Sequence, residues 1–202
     1  MDKSFEQMSA LLHAVWPAVS QIDWSEYCTE NVTPYDNDGV AKYTGILMHS
    51  SGAGCSGAST ASAGFLPYPT KSAIIVARKV RLILKKAEAG EDCISSMHHR
   101  NPDEGFWGGG IRATKTGGQI LAYAISGLPE IGDHVLMAHM MYELGLVSNQ
   151  RFACLCELYI CGTREAMAYV GMDEKQYVDL CRYISIIVGT TADEIGLTPA
   201  KS

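Results

Sequence analysis

The sequence predicts an α+β domain in which one antiparallel sheet carries helices on its faces. Two observations lead to this class. Strand-like segments come in neighbouring pairs joined by glycine-rich turns, which is typical of antiparallel hairpins. Between the pairs lie longer segments with apolar residues at three- and four-residue steps, which is typical of amphipathic helices. Hairpins that alternate with helices favour an antiparallel sheet covered by helices.

Composition and charge narrow the class of protein. The chain has 202 residues, of which 47% are hydrophobic and 19% charged, as expected for one globular domain with a substantial core. The formal net charge of −6 argues against nucleic acid as a general partner. No apolar run reaches the roughly 20 residues that span a bilayer, so no membrane partner is expected. Seven cysteines at irregular positions and a polar, acidic first segment favour a cytoplasmic protein with free thiols.

The first half of the chain supplies two helices and one hairpin. Apolar residues at helical spacing predict a helix over residues 4–20. Residues 41–50 form a predicted strand, and the small residues 55–65 are either its returning partner or a flexible loop. A long helix is predicted over residues 71–89, capped by Thr70 and ended by Gly90. Its basic cluster is interpreted as a solvated face; the cluster comprises Arg78, Lys79, Arg81, Lys85 and Lys86.

The stretch over residues 105–146 organises the second half. The glycines Gly108, Gly109 and Gly110 lead into a predicted strand over 111–114, a turn, and a second strand over 119–126. A break at residues 127–129 then starts a helix.

Residues 148–202 are predicted to be helical. Their last long helix is predicted to start at Met172 and end at Gly189. The methionines at 137, 140 and 141 are interpreted as core-filling side chains.

Four features follow one another in this stretch: the motif Gly108-Gly109-Gly110-Ile111, the hairpin after it, Ser126-Gly127-Leu128-Pro129-Glu130, and Asp133-His134. Together they resemble the GlcG-like family. This family includes haem-binding HbpS-type proteins and the C-terminal domain of PduO-type corrinoid adenosyltransferases. The resemblance implies a profilin-like α/β/α sandwich with one antiparallel sheet of about five strands. It also implies a GlcG/HbpS-like domain over residues 1–147 and a tendency to form homo-oligomers. Residues 148–202 lie outside the usual family domain and are expected to pack on it or at a subunit interface.

The first functional hypothesis is a small-ligand-binding protein, with haem or a related tetrapyrrole as the ligand that the resemblance implies. Glycines let a ligand approach the backbone closely, and the N–H groups at the start of the helix after residue 129 can face an anion. The alternative is that these glycines only serve tight turns. The expected ligand-binding residues are Gly108, Gly109, Gly110, Arg112, Ser126 and Gly127, with Lys115 as a further cation for a carboxylate.

The second hypothesis is an enzyme that acts on a small carboxylate-bearing metabolite beside Gly108–Gly110 and residues 126–130, without a tetrapyrrole. A third is a partner-binding protein that uses its helical C-terminal segment. For haem iron, the candidate axial ligands are His13, His98 and His99. The candidate acid–base residues of an enzyme are His98, His99, Glu104 and Glu130, with Asp103 and Asp133 beside them.

Overall fold

The computed structural model describes residues 3–28, 45–51, 59–63, 70–114, 118–157 and 162–197. Within these ranges the chain forms six α-helices, four β-strands and three short 3₁₀ turns. The helices are α1 (Lys3–Val19), α2 (Thr70–Glu88), α3 (Glu130–Glu143), α4 (Asn149–Cys156), α5 (Thr163–Val170) and α6 (Glu174–Glu194). The strands are β1 (Gly45–Ser51), β2 (Ser59–Ala63), β3 (Gly110–Thr114) and β4 (Ile120–Ser126). The 3₁₀ turns are Trp24–Glu26, Ser96–His99 and Pro102–Glu104.

The four described strands form one antiparallel sheet in the order β2-β1-β4-β3. Alternation along β4 assigns its two faces. Ala122 and Ala124 pack in a cluster with apolar residues of α2, whereas Leu121, Tyr123 and Ile125 belong to the larger core with α1 and α3. Because successive side chains of a strand point to opposite sides, both faces of this central strand are covered by helices.

The most enclosed element of the fold is α3. Thirteen of its residues are buried, and it contacts β3, β4, α1, α4, α5 and α6. Such burial on all sides means that other elements surround the helix, although five of the thirteen buried residues are polar or charged. Met137, Met140 and Met141 are fully buried, so their interpretation as core-filling residues is confirmed. Whatever lies at the N-terminus of α3 is therefore positioned by the whole core.

The predicted profilin-like α/β/α sandwich with about five strands is wrong. The described residues form four strands, and helices account for far more of these residues than strands do. The reason lies in the packing around α3: α4, α5 and α6 surround this helix together with α1, and their apolar residues belong to the same core cluster as those of the sheet. A helical assembly thus replaces the single outer layer of a sandwich.

A smaller difference concerns the end of the last helix. The last long helix was predicted to end at Gly189, but α6 continues to Glu194. Val188 and Ala192 are both fully buried, and this packing outweighs the cost of about 1 kcal/mol that glycine imposes within a helix. Among the described residues, no helix is long and apolar enough to cross a membrane.

Candidate functional site

The glycine triplet packs directly against α3. The Gly108 N–H donates to Glu130 Oε1 at 2.7 Å, and the Gly110 N–H donates to Ser96 Oγ at 2.9 Å. Gly109 has a φ of +92°, and a Cβ there would lie 2.7 Å from the Asp133 Cβ. Its positive φ and this close contact both favour glycine. The backbone therefore does come close to another group, and that group is the chain's own helix.

The N-terminal end of α3 is likewise occupied by carboxylates of the chain. The Leu128 N–H donates to Asp133 Oδ1 at 3.0 Å. Glu130 accepts the Gly108 N–H with one oxygen and the Arg100 Nε–H, at 2.8 Å, with the other. The anion expected at this helix start is thus matched by two carboxylates of the chain, which accept the N–H groups of Gly108 and Leu128 rather than those of the helix itself, whose start has no side-chain cap.

Lys79 forms a buried ion pair beneath the triplet. Its Nζ donates to Asp133 Oδ2 at 2.9 Å and to the Ile125 carbonyl at 2.7 Å. The interpretation of Lys79 as part of a solvated basic face is wrong, because its side chain is 2% exposed. Burial raises the pKa of Asp133 to about 6, while the Lys79 ammonium acts in the opposite direction. The pair joins α2, β4 and α3 and is closed to solvent.

Two histidines of α3 are buried as well. His134 Nε2 lies 2.8 Å from the Leu155 carbonyl, and burial lowers the pKa of this imidazole to about 4. His139 packs edge-on against Phe152 with 4.9 Å between ring centroids, and burial lowers its pKa to about 4. Both imidazoles are therefore neutral at pH 7 and belong to the core.

The histidines predicted as haem ligands lie elsewhere. His13 is exposed on α1, with Nδ1 2.7 Å from the Ser9 carbonyl. His98 and His99 belong to the 3₁₀ turn Ser96–His99, and His99 Nε2 lies 3.9 Å from Glu91 Oε2. In the described part of the chain, no group of three or more histidine, cysteine or acidic residues has an arrangement that could hold a metal ion.

The remaining predicted ligand residues have separate environments. Arg112 Nη2 lies 2.5 Å from Asp92 Oδ1, and Nη1 donates to the Glu91 carbonyl at 3.3 Å. Ser126 is buried at the end of β4, and Gly127 follows it. Lys115 lies outside the described residues. The structure thus brings the triplet and Glu130 together, whereas the Arg112 guanidinium pairs with residues 91–92.

An open groove lies next to the triplet, between α2 and the 3₁₀ turn Pro102–Glu104. Its volume is about 550 Å³, which is within the usual range for small-ligand pockets. The lining residues are Ile74, Ile75, Arg78, Pro102, Asp103, Glu104, Gly105 and Trp107. Sequence reasoning had selected only Asp103 and Glu104 from this set. Two features of the sequence point to other residues of the groove. Arg78 is a cation beside the apolar stripe of α2, and Trp107 directly precedes the three glycines.

The charged groups of the groove are exposed and unpaired. The side chains of Arg78, Asp103 and Glu104 have neither a hydrogen bond nor an ion pair with any residue that the structure describes. The Arg78 guanidinium lies against Gly105, where a Cβ would be 2.5 Å from Nη1. Glycine is favoured at this position by its φ of +75°, whereas the overlap with the end of the flexible Arg78 side chain could be relieved by a movement of that side chain.

Trp107 forms one wall of the groove, and other side chains of the protein hold its ring in place. Its ring packs edge-on against Tyr169 of α5 with 6.1 Å between centroids, and the Arg100 guanidinium lies 5.9 Å from the Trp107 ring. Arg100 also lies 4.7 Å from the Tyr169 ring, and Glu130 fixes its Nε. The wall is therefore connected to the N-terminus of α3 through Arg100 and Glu130.

Neither a protein-family model, nor a curated protein, nor a solved structure matches this chain. The resemblance to the GlcG-like family stays a prediction, and function is argued from geometry. Haem does not fit the described groove as an iron-ligated group, because neither His13, His98 nor His99 is among its lining residues.

Proposed function

We propose that this protein binds a small, partly apolar, carboxylate-bearing ligand in the groove between α2 and the turn Pro102–Glu104. The observation that carries the proposal is the Arg78 guanidinium, which is exposed and without a partner among the described residues. A guanidinium matches the geometry of a carboxylate with two parallel hydrogen bonds. Next to it, Ile74, Ile75 and Trp107 provide apolar surface for the rest of the ligand.

The fixed position of Trp107 supports the same proposal. Arg100 and Tyr169 contact its ring, and its carbonyl accepts a hydrogen bond from Ser96 Oγ at 2.8 Å. A wall that is ordered before the ligand arrives loses little conformational entropy on binding. The buried Lys79–Asp133 pair has no part in this contact, since both side chains are closed to solvent.

The test uses 3-phenylpropanoate and its neutral amide, 3-phenylpropanamide, as probes. Binding is followed by NMR on the indole N–H of Trp107, assigned with Trp107→Phe. We expect the carboxylate to shift this signal and the amide to shift it far less. Arg78→Gln should remove the difference between the probes, whereas Arg81→Gln, an exposed arginine of the same helix outside the groove, should retain it. Equal responses of the wild type to the two probes would overturn the proposal.

An enzyme acting on the same ligand is the second candidate. It is favoured by Glu104, an exposed carboxylate without a described partner that lines the groove and is able to act as a general base. In that case Glu104→Gln abolishes product formation, while 3-phenylpropanoate still shifts the Trp107 indole signal. Haem binding through His13, His98 or His99 is supported by the sequence resemblance alone. Its test is a Soret band on adding haemin that disappears when one of these histidines is replaced.

Cytoplasmic location and homo-oligomer formation belong to the same proposal. The described cysteines Cys28, Cys93, Cys156 and Cys181 are free thiols, which supports a reducing compartment. On α6, Val178, Tyr183 and Ile186 are 57%, 45% and 59% exposed and lie within one arc of the helix, which supports a contact between copies. Light scattering on Ile186→Lys tests that contact, because a stable oligomer that depends on it should dissociate.

A further inference from the structure

The groove contains both signs of charge, and they do not pair with each other. Arg78 is a cation on α2, whereas Asp103 and Glu104 are carboxylates on the opposing 3₁₀ turn. The turn lies close to the cation, because a Cβ on Gly105, the residue after Glu104, would be 2.5 Å from Arg78 Nη1. Opposite charges that share a groove without forming an ion pair leave their hydrogen-bonding capacity to a ligand.

Charge balance then limits what that ligand can be. With one guanidinium and two carboxylates among its lining residues, the groove carries a formal charge of −1. A ligand that brings only a carboxylate satisfies Arg78, but it also places a second anion beside Asp103 and Glu104. A ligand that brings an ammonium group together with its carboxylate satisfies both sides of the groove.

We infer that the groove recognises a zwitterion of the α-amino-acid type with a large apolar side chain. Its carboxylate binds Arg78, its ammonium binds Asp103 and Glu104, and its side chain lies on Ile74, Ile75 and Trp107. This inference rests on the proposed function and adds an ammonium subsite to it. Asp103 and Glu104 become the residues that determine specificity.

Three probes that share one phenyl side chain test the inference. L-phenylalanine has both charges, 3-phenylpropanoate lacks the ammonium, and 2-phenylethylamine lacks the carboxylate. Affinities are measured by calorimetry, and the site is checked through the Trp107 indole N–H signal. We expect the wild type to bind L-phenylalanine at least about tenfold more tightly than either of the other probes.

The double variant Asp103→Asn/Glu104→Gln should bind L-phenylalanine more weakly and 3-phenylpropanoate more tightly than the wild type does. The preference for L-phenylalanine should therefore be lost or reversed. Glu88→Gln is the matched control, since Glu88 is an exposed acid of α2 outside the groove. Thermal unfolding establishes that the variants fold, and all substituted side chains are exposed.

The outcomes separate the two proposals. If 3-phenylpropanoate binds the wild type as tightly as L-phenylalanine and needs Arg78, the ammonium subsite is refuted and the proposed function stands. If L-phenylalanine is preferred but the double variant keeps the preference, Asp103 and Glu104 are not the subsite and the inference is overturned. If no probe binds, or binding is independent of Arg78, the proposed function fails and the inference fails with it.

Discussion

Lys79 on α2 and Asp133 on α3 form an ion pair in the core, with 2.9 Å between Nζ and Oδ2 and with 2% and 3% of the two side chains exposed. Gly109 lies directly against this pair, because a Cβ there would lie 3.0 Å from Lys79 Nζ. The glycine motif, the long helix α2 and the central helix α3 are thus joined at one point.

Removing the cation of the pair should strongly destabilise the protein. Lys79→Met leaves the Asp133 carboxylate buried without its main partner, which costs about 3 kcal/mol of unfolding free energy. Urea denaturation at pH 7 measures the change. The matched control is Lys175→Met, which breaks the Lys175–Asp179 pair, whose side chains are 88% and 52% exposed. If both variants lose the same small amount, Lys79 does not stabilise the core.

A comparison with a second glycine separates two effects on stability at Gly109, that of its positive φ and that of its close contact with Asp133. Gly118 has a φ of +82° and nothing within 4 Å of an added Cβ. Gly118→Ala should therefore cost only the conformational term, about 1–2 kcal/mol. Gly109→Ala should cost clearly more, because its Cβ would also meet the Asp133 Cβ at 2.7 Å. Equal losses in denaturation experiments would show that the triplet does not pack against α3 as described.

Acid should destabilise the protein through His134 and His139. Burial lowers their pKa values to about 4 from 6.5, so the unfolded chain binds more protons and stability is lost as the pH falls from 6.5 towards 4. Asp133 has the opposite effect on stability. Its pKa is raised from 3.8 to about 6, so its contribution to the free energy of unfolding is present at low pH and is lost as the pH rises through 6. Between pH 4.5 and 6, the unfolded chain therefore binds about one proton more at these three groups than the folded chain does. The free energy of unfolding should accordingly rise by about 1.4 kcal/mol per pH unit.

Asp133→Asn isolates the opposing contribution. Without the Asp133 carboxyl, the slope of stability against pH over the same interval should rise to nearly two protons. Denaturation curves at a series of pH values measure it for both proteins, and the difference between them cancels the remaining titrating groups. A slope that is unchanged or smaller in the variant would contradict the raised pKa of Asp133.

Glu130→Gln should loosen the wall of the groove. The amide retains an acceptor for the Gly108 N–H but loses the charge that holds Arg100, in a pair whose side chains are 11% and 5% exposed. Unfolding free energy should fall by about 1.5–3 kcal/mol. The Trp107 indole N–H signal should broaden or shift, because Arg100 packs on that ring. Glu88→Gln, an exposed acid of α2, should change neither observable.

Several elements follow from the sequence alone because periodicity defines them. The helix predicted over 71–89 is observed as Thr70–Glu88, and the hairpin predicted over 111–126 is observed as Gly110–Thr114 and Ile120–Ser126. In each case the spacing of apolar residues and the flanking glycines act locally. These features do not determine how many strands a sheet has or how helices surround one another, and there the expected sandwich was wrong.

The candidate site was less accessible to sequence reasoning, because its contacts are long-range. Lys79 lies in a basic run, and only the partner Asp133, 54 residues later, explains its burial. Similarly, the groove arises because α2 packs near residues 102–107, which brings Arg78 and Trp107 into one cavity. Neither residue belongs to a motif whose spacing identifies a chemistry. The glycine triplet was expected to let a ligand approach the backbone, and its contact with α3 of the same chain is visible only in the fold.

Ligand binding in the groove should depend on Arg78. The most direct test is the dissociation constant of L-phenylalanine for the wild type, Arg78→Gln and Arg81→Gln, measured by calorimetry at pH 7. We expect Arg78→Gln to weaken binding by at least about tenfold and Arg81→Gln to match the wild type. Equal affinities of all three proteins, or no binding of either L-phenylalanine or 3-phenylpropanoate to any of them, would contradict this role of Arg78.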